Sequence, residues 1–251
     1  MNNYNAIDRS QQDRPFVLSI AGFDPSAGAG VLADIKTFEQ LKVKGMAVLT
    51  ANTLQTEQHF YELAWQPVAG ICRHIEVLMQ AYSIAVIKIG IVKDAPMLQH
   101  IIAAIRRQNE NTFIIWDPVL QSTTGFPFFA EKERDSLKDT MQQIDLLTPN
   151  LPEFEALKQL ISRKQTVLLK GGHSKEQPGL DFLYLQGQKV ELQPGTETAY
   201  PKHGSGCVLS AAIAAYIASG HSITESCRQG KTYVERFLNS HPTLSGYHHA
   251  G

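Results

Sequence analysis

FVLSIAGFDPSAGAGVLADIKTFEQLK, residues 16–42, runs from an apolar β-rich stretch through a loop holding Gly22, Gly28 and Gly30 into apolar residues at helical spacing. Strand, glycine loop, helix is the first half of a βαβ unit. The same order recurs down the chain. Further β-rich runs stand at 46–52, 84–90, 112–117, 144–149 and 166–172, and between them VLADIKTFEQLK, PVAGICRHIEVLMQAY and PMLQHIIAAIRRQ repeat with helical period. This alternation predicts an α/β fold: a mostly parallel, doubly wound sheet with helices on both faces. LDFLYLQGQKVELQP breaks the rhythm by alternating around a QGQ turn, which predicts an antiparallel hairpin at a sheet edge. After it, GSGCVLSAAIAAYIASG reads as a helix closed by Gly220, and a second helix is expected over 222–239.

The opening loop is not a nucleotide fingerprint. Gly28, Gly30 and Ala33 fit G-x-G-x-x-A only loosely, because six residues separate Ala21 from Gly28 where the fingerprint needs glycine directly after the strand. No Lys-Ser or Lys-Thr pair follows for a Walker loop. The loop is expected to bring backbone close to an organic ligand, with Asp34 either accepting a hydrogen bond from it or standing as a solvated helix residue.

HGSGCVLSAAIAAY, residues 203–216, has the stronger chemistry. Gly204, Ser205 and Gly206 lead straight into a helix, so free N–H groups and the positive dipole end converge on one spot, an anion site. Cys207 sits there too. A helix N-terminus lowers a thiol's pKa and suits Cys207 to accept a proton; its residue type equally allows a small buried hydrophobe. Asn150 and Glu153 in TPNLPE lie three apart at a strand-to-helix junction, and either hold Mg²⁺ through water or form a capping box. Lys170 in KGG ends a buried strand and either meets an anion or snorkels. Asp117 in WDPV ends another strand, where a turn-forming role is the plain alternative.

Composition narrows the partners. The 251 residues carry 23 basic and 24 acidic side chains, net charge −1, which speaks against nucleic acid or a membrane surface and for a small molecule. Three cysteines form neither a disulfide framework nor a zinc pattern, and no apolar run approaches a membrane span, so a cytoplasmic protein is expected. Residues 1–14 read as a flexible leader, residues 15–251 as one domain, and 121–129 as a loop.

SIAGFDPSAGAG, LADIKTF, KIGI, WDPV, LTPNLPE, LKGGH and HGSGCVLSAAIAA, in this order, resemble the hydroxymethylpyrimidine/phosphomethylpyrimidine kinases of thiamine biosynthesis, within the ribokinase-like superfamily. The resemblance runs from Phe16 to the end of the chain. It implies ATP with Mg²⁺ as phosphoryl donor, and 4-amino-5-hydroxymethyl-2-methylpyrimidine and its monophosphate as acceptors. It implies Gly22, Asp34 and Gln55 around the pyrimidine; Asn150, Lys170 and Gly172 beside the nucleotide; Glu153 at magnesium; Gly204, Ser205 and Gly206 as anion hole; and Cys207 as base. A homodimer is common among such relatives. The chain departs from the family pattern at Gln55-Thr56-Glu57, where Q-N-T is usual. It also lacks the lysine expected after D-P-V and is short between Glu153 and Lys170. Pyridoxal kinase activity on the same scaffold, or a pyrimidine-binding homologue weakened in catalysis, are the alternatives. All these roles require the turn before Ser205 and the turn after Ala21 to share one crevice.

Overall fold

The computed structural model describes residues 14–120, 137–172, 178–196 and 199–248. The expected leader, except Arg14, and the expected loop at 121–129 lie outside these residues. In chain order the elements are β1 (Phe16–Phe23), α1 (Gly30–Gln40), β2 (Lys44–Gln55), β3 (Phe60–Trp65), α2 (Val68–Ala81), β4 (Ile84–Ile89), α3 (Ala95–Gln108), β5 (Phe113–Trp116), α4 (Lys138–Met141), β6 (Leu146–Leu147), α5 (Leu151–Leu157), β7 (Val167–Leu169), β8 (Asp181–Leu185), β9 (Gln188–Leu192), α6 (Ser205–Ala218) and α7 (Ile223–Asn239).

The strands form one sheet in the order β3-β2-β1-β4-β5-β6-β7-β8-β9. From β2 to β7 neighbouring strands are parallel. Such strands are covered on both faces, which is why β1 is buried at seven consecutive positions. Val17, Val86, Ile115, Leu146 and Leu168 pack toward α1, α6 and α7. Leu18, Ile20, Ile87, Ile89 and Ile114 turn the other way, toward α2, α3 and α5. Helix α6 shows no polar stripe because it is enclosed: every residue from Val208 to Ala215 is buried, between the sheet and α7.

β8 and β9 make the expected edge hairpin. Its two-residue turn, Gln186-Gly187, has positive φ at both positions (51° and 79°), the backbone that a tight hairpin needs. β3 at the opposite edge was not expected. It pairs antiparallel with β2, and its exposed residues follow no strict alternation, so sequence period gives no strand signal there.

β1 continues through α1 to β2 on one side, whereas β4 continues through α3 to β5 on the other. The order therefore reverses between β1 and β4, and in open α/β sheets that switch point opens a crevice at the carboxyl ends of the strands.

Candidate active site

At the switch point two charged residues are fully buried. Lys88 on β4 donates to both carboxylate oxygens of Asp34 on α1, at 2.8 Å each, and Ser19 on β1 donates to the same carboxylate. Burial alone would drive the ammonium toward its neutral form, but the Asp34 carboxylate outweighs it and lifts Lys88 above the ordinary lysine value. Asp34 is thus neither the solvated residue nor the ligand-facing acceptor of the sequence reading: its oxygens are committed to Lys88 and Ser19. Lys88 itself had no role assigned. The argument applied to Lys170, that a lone charge in a buried strand needs a partner, would have found it.

A second cluster lies along the ends of β5, β6 and β7. Asp117 accepts from Lys170 at 2.7 Å, from Thr148 at 3.1 Å and from Ser210 of α6 at 3.2 Å. Burial opposes its charge, yet Lys170, Lys88 and these donors hold the carboxyl below its usual range. The same carboxylate, with Glu153 at 4.0 Å, keeps Lys170 above the ordinary lysine value against burial. Lys170 therefore does not snorkel. Asn150 and Glu153 form the capping box of α5: the Asn150 side chain accepts from Glu153 N–H at 2.9 Å and the Glu153 carboxylate from Asn150 N–H at 2.7 Å. Burial pushes Glu153 up to about 7, with Lys170 pulling down and Asp117 pushing the same way as burial.

The amino end of α6 faces this cluster. No side chain caps it and no acidic residue stands in its first turn. The first backbone bond into the helix is Val208 N–H to Gly204 O, 3.0 Å, which leaves the N–H groups of Ser205, Gly206 and Cys207 as donors. A Cβ at position 206 would stand 3.3 Å from the Lys170 ammonium and 3.8 Å from Asp117. Donors and cation thus converge, which suits phosphate oxygens. Among the described residues no group of three His, Cys, Asp or Glu could cage a metal. Magnesium needs no such cage, because it keeps much of its water and takes one or two carboxylates with phosphate oxygens. Glu153 fits that demand: one oxygen caps Asn150, and the other has no hydrogen-bond donor among the described residues.

Cys207 corrects an expectation. The helix terminus and Lys88 favour its thiolate, but burial is the larger influence, Asp34 and Asp117 add to it, and the thiol is pushed up, not down.

The two glycine turns meet. Gly204 adopts φ +75°, and a Cβ there would lie 1.9 Å from the carbonyl oxygen of Gly28, so only glycine permits this approach of backbones. His203 contacts Asp24 across the same seam, Nε2 to Oδ2 2.9 Å. Gly22 and Gln55 lie at the neighbouring ends of β1 and β2, where Thr53 donates to Phe23 O and the Gln55 amide to Thr53 Oγ1, both at 2.8 Å. A Cβ on Gly22 would strike Ile91, 2.4 Å from its Cδ1. Gly172 follows Lys170 with open space above it.

A family model described as phosphomethylpyrimidine kinase matches residues 24–250. The chain belongs to that family. A hydroxymethylpyrimidine/phosphomethylpyrimidine kinase from Aquifex aeolicus is 32% identical over 248 residues, 92% of this chain and 97% of the relative. The crystal structure of a phosphomethylpyrimidine kinase from Clostridium difficile superposes with a TM-score of 0.73 at 28% identity, covering 88% of this chain and 98% of that one. A pyridoxal kinase from Staphylococcus aureus in complex with pyridoxal has a TM-score of 0.77 at 26% identity, covering 90% and 88%. The fold of the family is therefore the doubly wound sheet described above.

Two predictions follow from these charges. Lys88→Met leaves the buried Asp34 carboxylate unpaired and is expected to destabilise the chain by about 3–5 kcal/mol, much of which Asp34→Asn restores in the double variant, as read by urea denaturation. Glu153 holds its proton in the folded chain up to about 7, whereas the unfolded chain releases it near 4.5, so the stability it contributes is full below 4.5 and is lost as pH rises toward 7. Glu153→Gln keeps an acceptor for the cap and is expected to flatten that decline; an unchanged pH profile of urea midpoints would contradict it.

Proposed function

We propose that the chain transfers the γ-phosphoryl group of ATP to the hydroxymethyl group of 4-amino-5-hydroxymethyl-2-methylpyrimidine, and then phosphorylates the monophosphate, in thiamine biosynthesis or salvage. The observation that carries this reading is the uncapped α6 terminus beside Lys170, set directly against the loop that follows β1. One element offers a cradle for phosphate and the other a wall for a ring. Family membership supplies the chemistry.

In this reading the N–H groups of Ser205, Gly206 and Cys207 and the Lys170 ammonium neutralise charge on the transferred group, and positioning does most of the remaining work. Glu153 would hold Mg²⁺, which would supply positive charge to neutralise the nucleotide phosphates. Asp117 orients Lys170 from below. Gly22 and Gln55 form the rim for the pyrimidine, and Asp34 acts on it only through the packing of α1. Asn150 fixes Glu153, and Gly172 leaves room on the nucleotide side. Cys207 accepts the hydroxyl proton late in the transfer. Because burial holds its thiol up, that role grows as pH rises. The partners are thus ATP and a small heteroaromatic alcohol, with a second copy of the chain completing a homodimer in the cytoplasm. No helix among the described residues is long and apolar enough to cross a membrane.

A pyridoxal kinase reading has its own support in the likeness to the pyridoxal complex, since pyridoxal also presents a hydroxymethyl group on a six-membered nitrogen ring. ATP consumption with the pyrimidine, its monophosphate and pyridoxal, measured side by side, separates them. Turnover is expected to favour the pyrimidines; preference for pyridoxal would install the second reading, and no turnover with any of the three would remove both. Cys207→Ala is expected to cut kcat by about 10²- to 10⁴-fold with little change in KM and to abolish the rise of rate with pH. Unchanged turnover would take the base role from Cys207.

A further inference from the structure

His203 and Asp24 belong to the two glycine motifs, yet neither is used by the chemistry above. They are 179 residues apart in sequence and both buried, and their side chains meet at 2.9 Å. Asp24 organises the whole loop after β1. One oxygen accepts from Ser26 N–H at 2.9 Å and from the Ser26 hydroxyl; the other accepts from Ala29 N–H at 2.8 Å and from His203. A carboxylate only accepts, so His203 Nε2 carries the hydrogen. Burial works against the Asp24 charge, but His203, Ser26 and Ala29 together keep its carboxyl below the ordinary value.

His203 is placed for leverage. It immediately precedes Gly204, the left-handed residue that opens α6, and its backbone N–H is fixed by Leu244 O at 3.0 Å. Its ring covers Gly28, where a Cβ would come within 2.5 Å of Cδ2. On the far side of the same loop Lys36 donates to Ala27 O at 2.8 Å. The loop after β1 is therefore tied to α1 through Lys36 and the Ala33 N–H, and to the phosphate-facing turn by His203.

We propose that the His203–Asp24 hydrogen bond is a latch that sets the separation between the turn at Gly204–Cys207 and the loop after β1, making His203 a positioning residue for phosphoryl transfer. This rests on the kinase reading above. A latch of this kind acts on the alignment of two bound groups and leaves the contacts to each of them intact. Its loss is thus expected in kcat and not in KM.

The test compares His203→Leu, which removes the donor, with His203→Gln, whose amide nitrogen can take the place of Nε2. His203→Leu is expected to lower kcat by about 10- to 100-fold while the pyrimidine KM stays within about threefold, and His203→Gln to recover most of the rate. Hydrogen exchange gives a readout independent of activity: in His203→Leu the hydrogen-bonded amides of Ser26, Ala29 and Val208 are expected to exchange about tenfold faster, with the amides of β4 unchanged. Equal rates in wild type and His203→Leu, a Gln variant no better than Leu, or faster exchange spread through β4 would each overturn the latch. A wild-type chain without turnover would overturn the kinase reading instead, and exchange at the two turns would still decide whether the latch exists.

Discussion

The buried pair between Asp34 and Lys88 ties the first helix to the sheet at the place where strand order reverses. Lys88 lies on β4 and Asp34 on α1, and Ser19 of β1 donates to the same carboxylate. One ion pair therefore sits where strand order reverses, over two strands that are hydrogen-bonded neighbours, and fixes the first helix against both. Taking two charges from water costs several kcal/mol each, and only a close, fully hydrogen-bonded geometry offsets this. A hydrophobic pair of the same volume would hold the elements together as well. What it would not supply is a fixed positive charge near Cys207, which with the Gly30 N–H draws its thiol toward ionisation against burial and two carboxylates.

Periodicity made the alternation of strands and helices legible, because strands buried on both faces are continuous apolar runs and amphipathic helices repeat every three to four residues. It failed where a strand lacks a clean pattern. β3 has exposed residues on both faces at a sheet edge, and β6 shrinks from an expected six residues to Leu146–Leu147. The polar groups divide in the same way. The convergence at Gly204–Gly206 could be read locally, since a helix start declares its own free N–H groups. The partner of Lys88 could not, because Asp34 is 54 residues away and a lysine in IAVIKIG looks like a flaw until the fold closes. Cys207 shows the opposite error. Sequence displays the helix terminus that lowers a thiol's pKa but not the depth that raises it, and depth wins.

Charge alternates in sign along the row Asp34 of α1, Lys88 of β4, Asp117, Lys170 and Glu153 of α5. Three carboxylates face two ammonium groups, and both lysines are already engaged more closely elsewhere than with Glu153. Lys170 lies 2.7 Å from Asp117 and 4.0 Å from Glu153. Glu153, the outermost carboxyl of the row, is held up to about 7 chiefly by burial, with Lys170 opposing that and Asp117 adding to it. The capping box engages one oxygen of that carboxyl, which accepts from Asn150 N–H at 2.7 Å. The row thus closes on Asp117 and Lys170 as its tightest pair, and leaves Glu153 as the carboxyl whose charge burial opposes and no ammonium group among the described residues balances at close range.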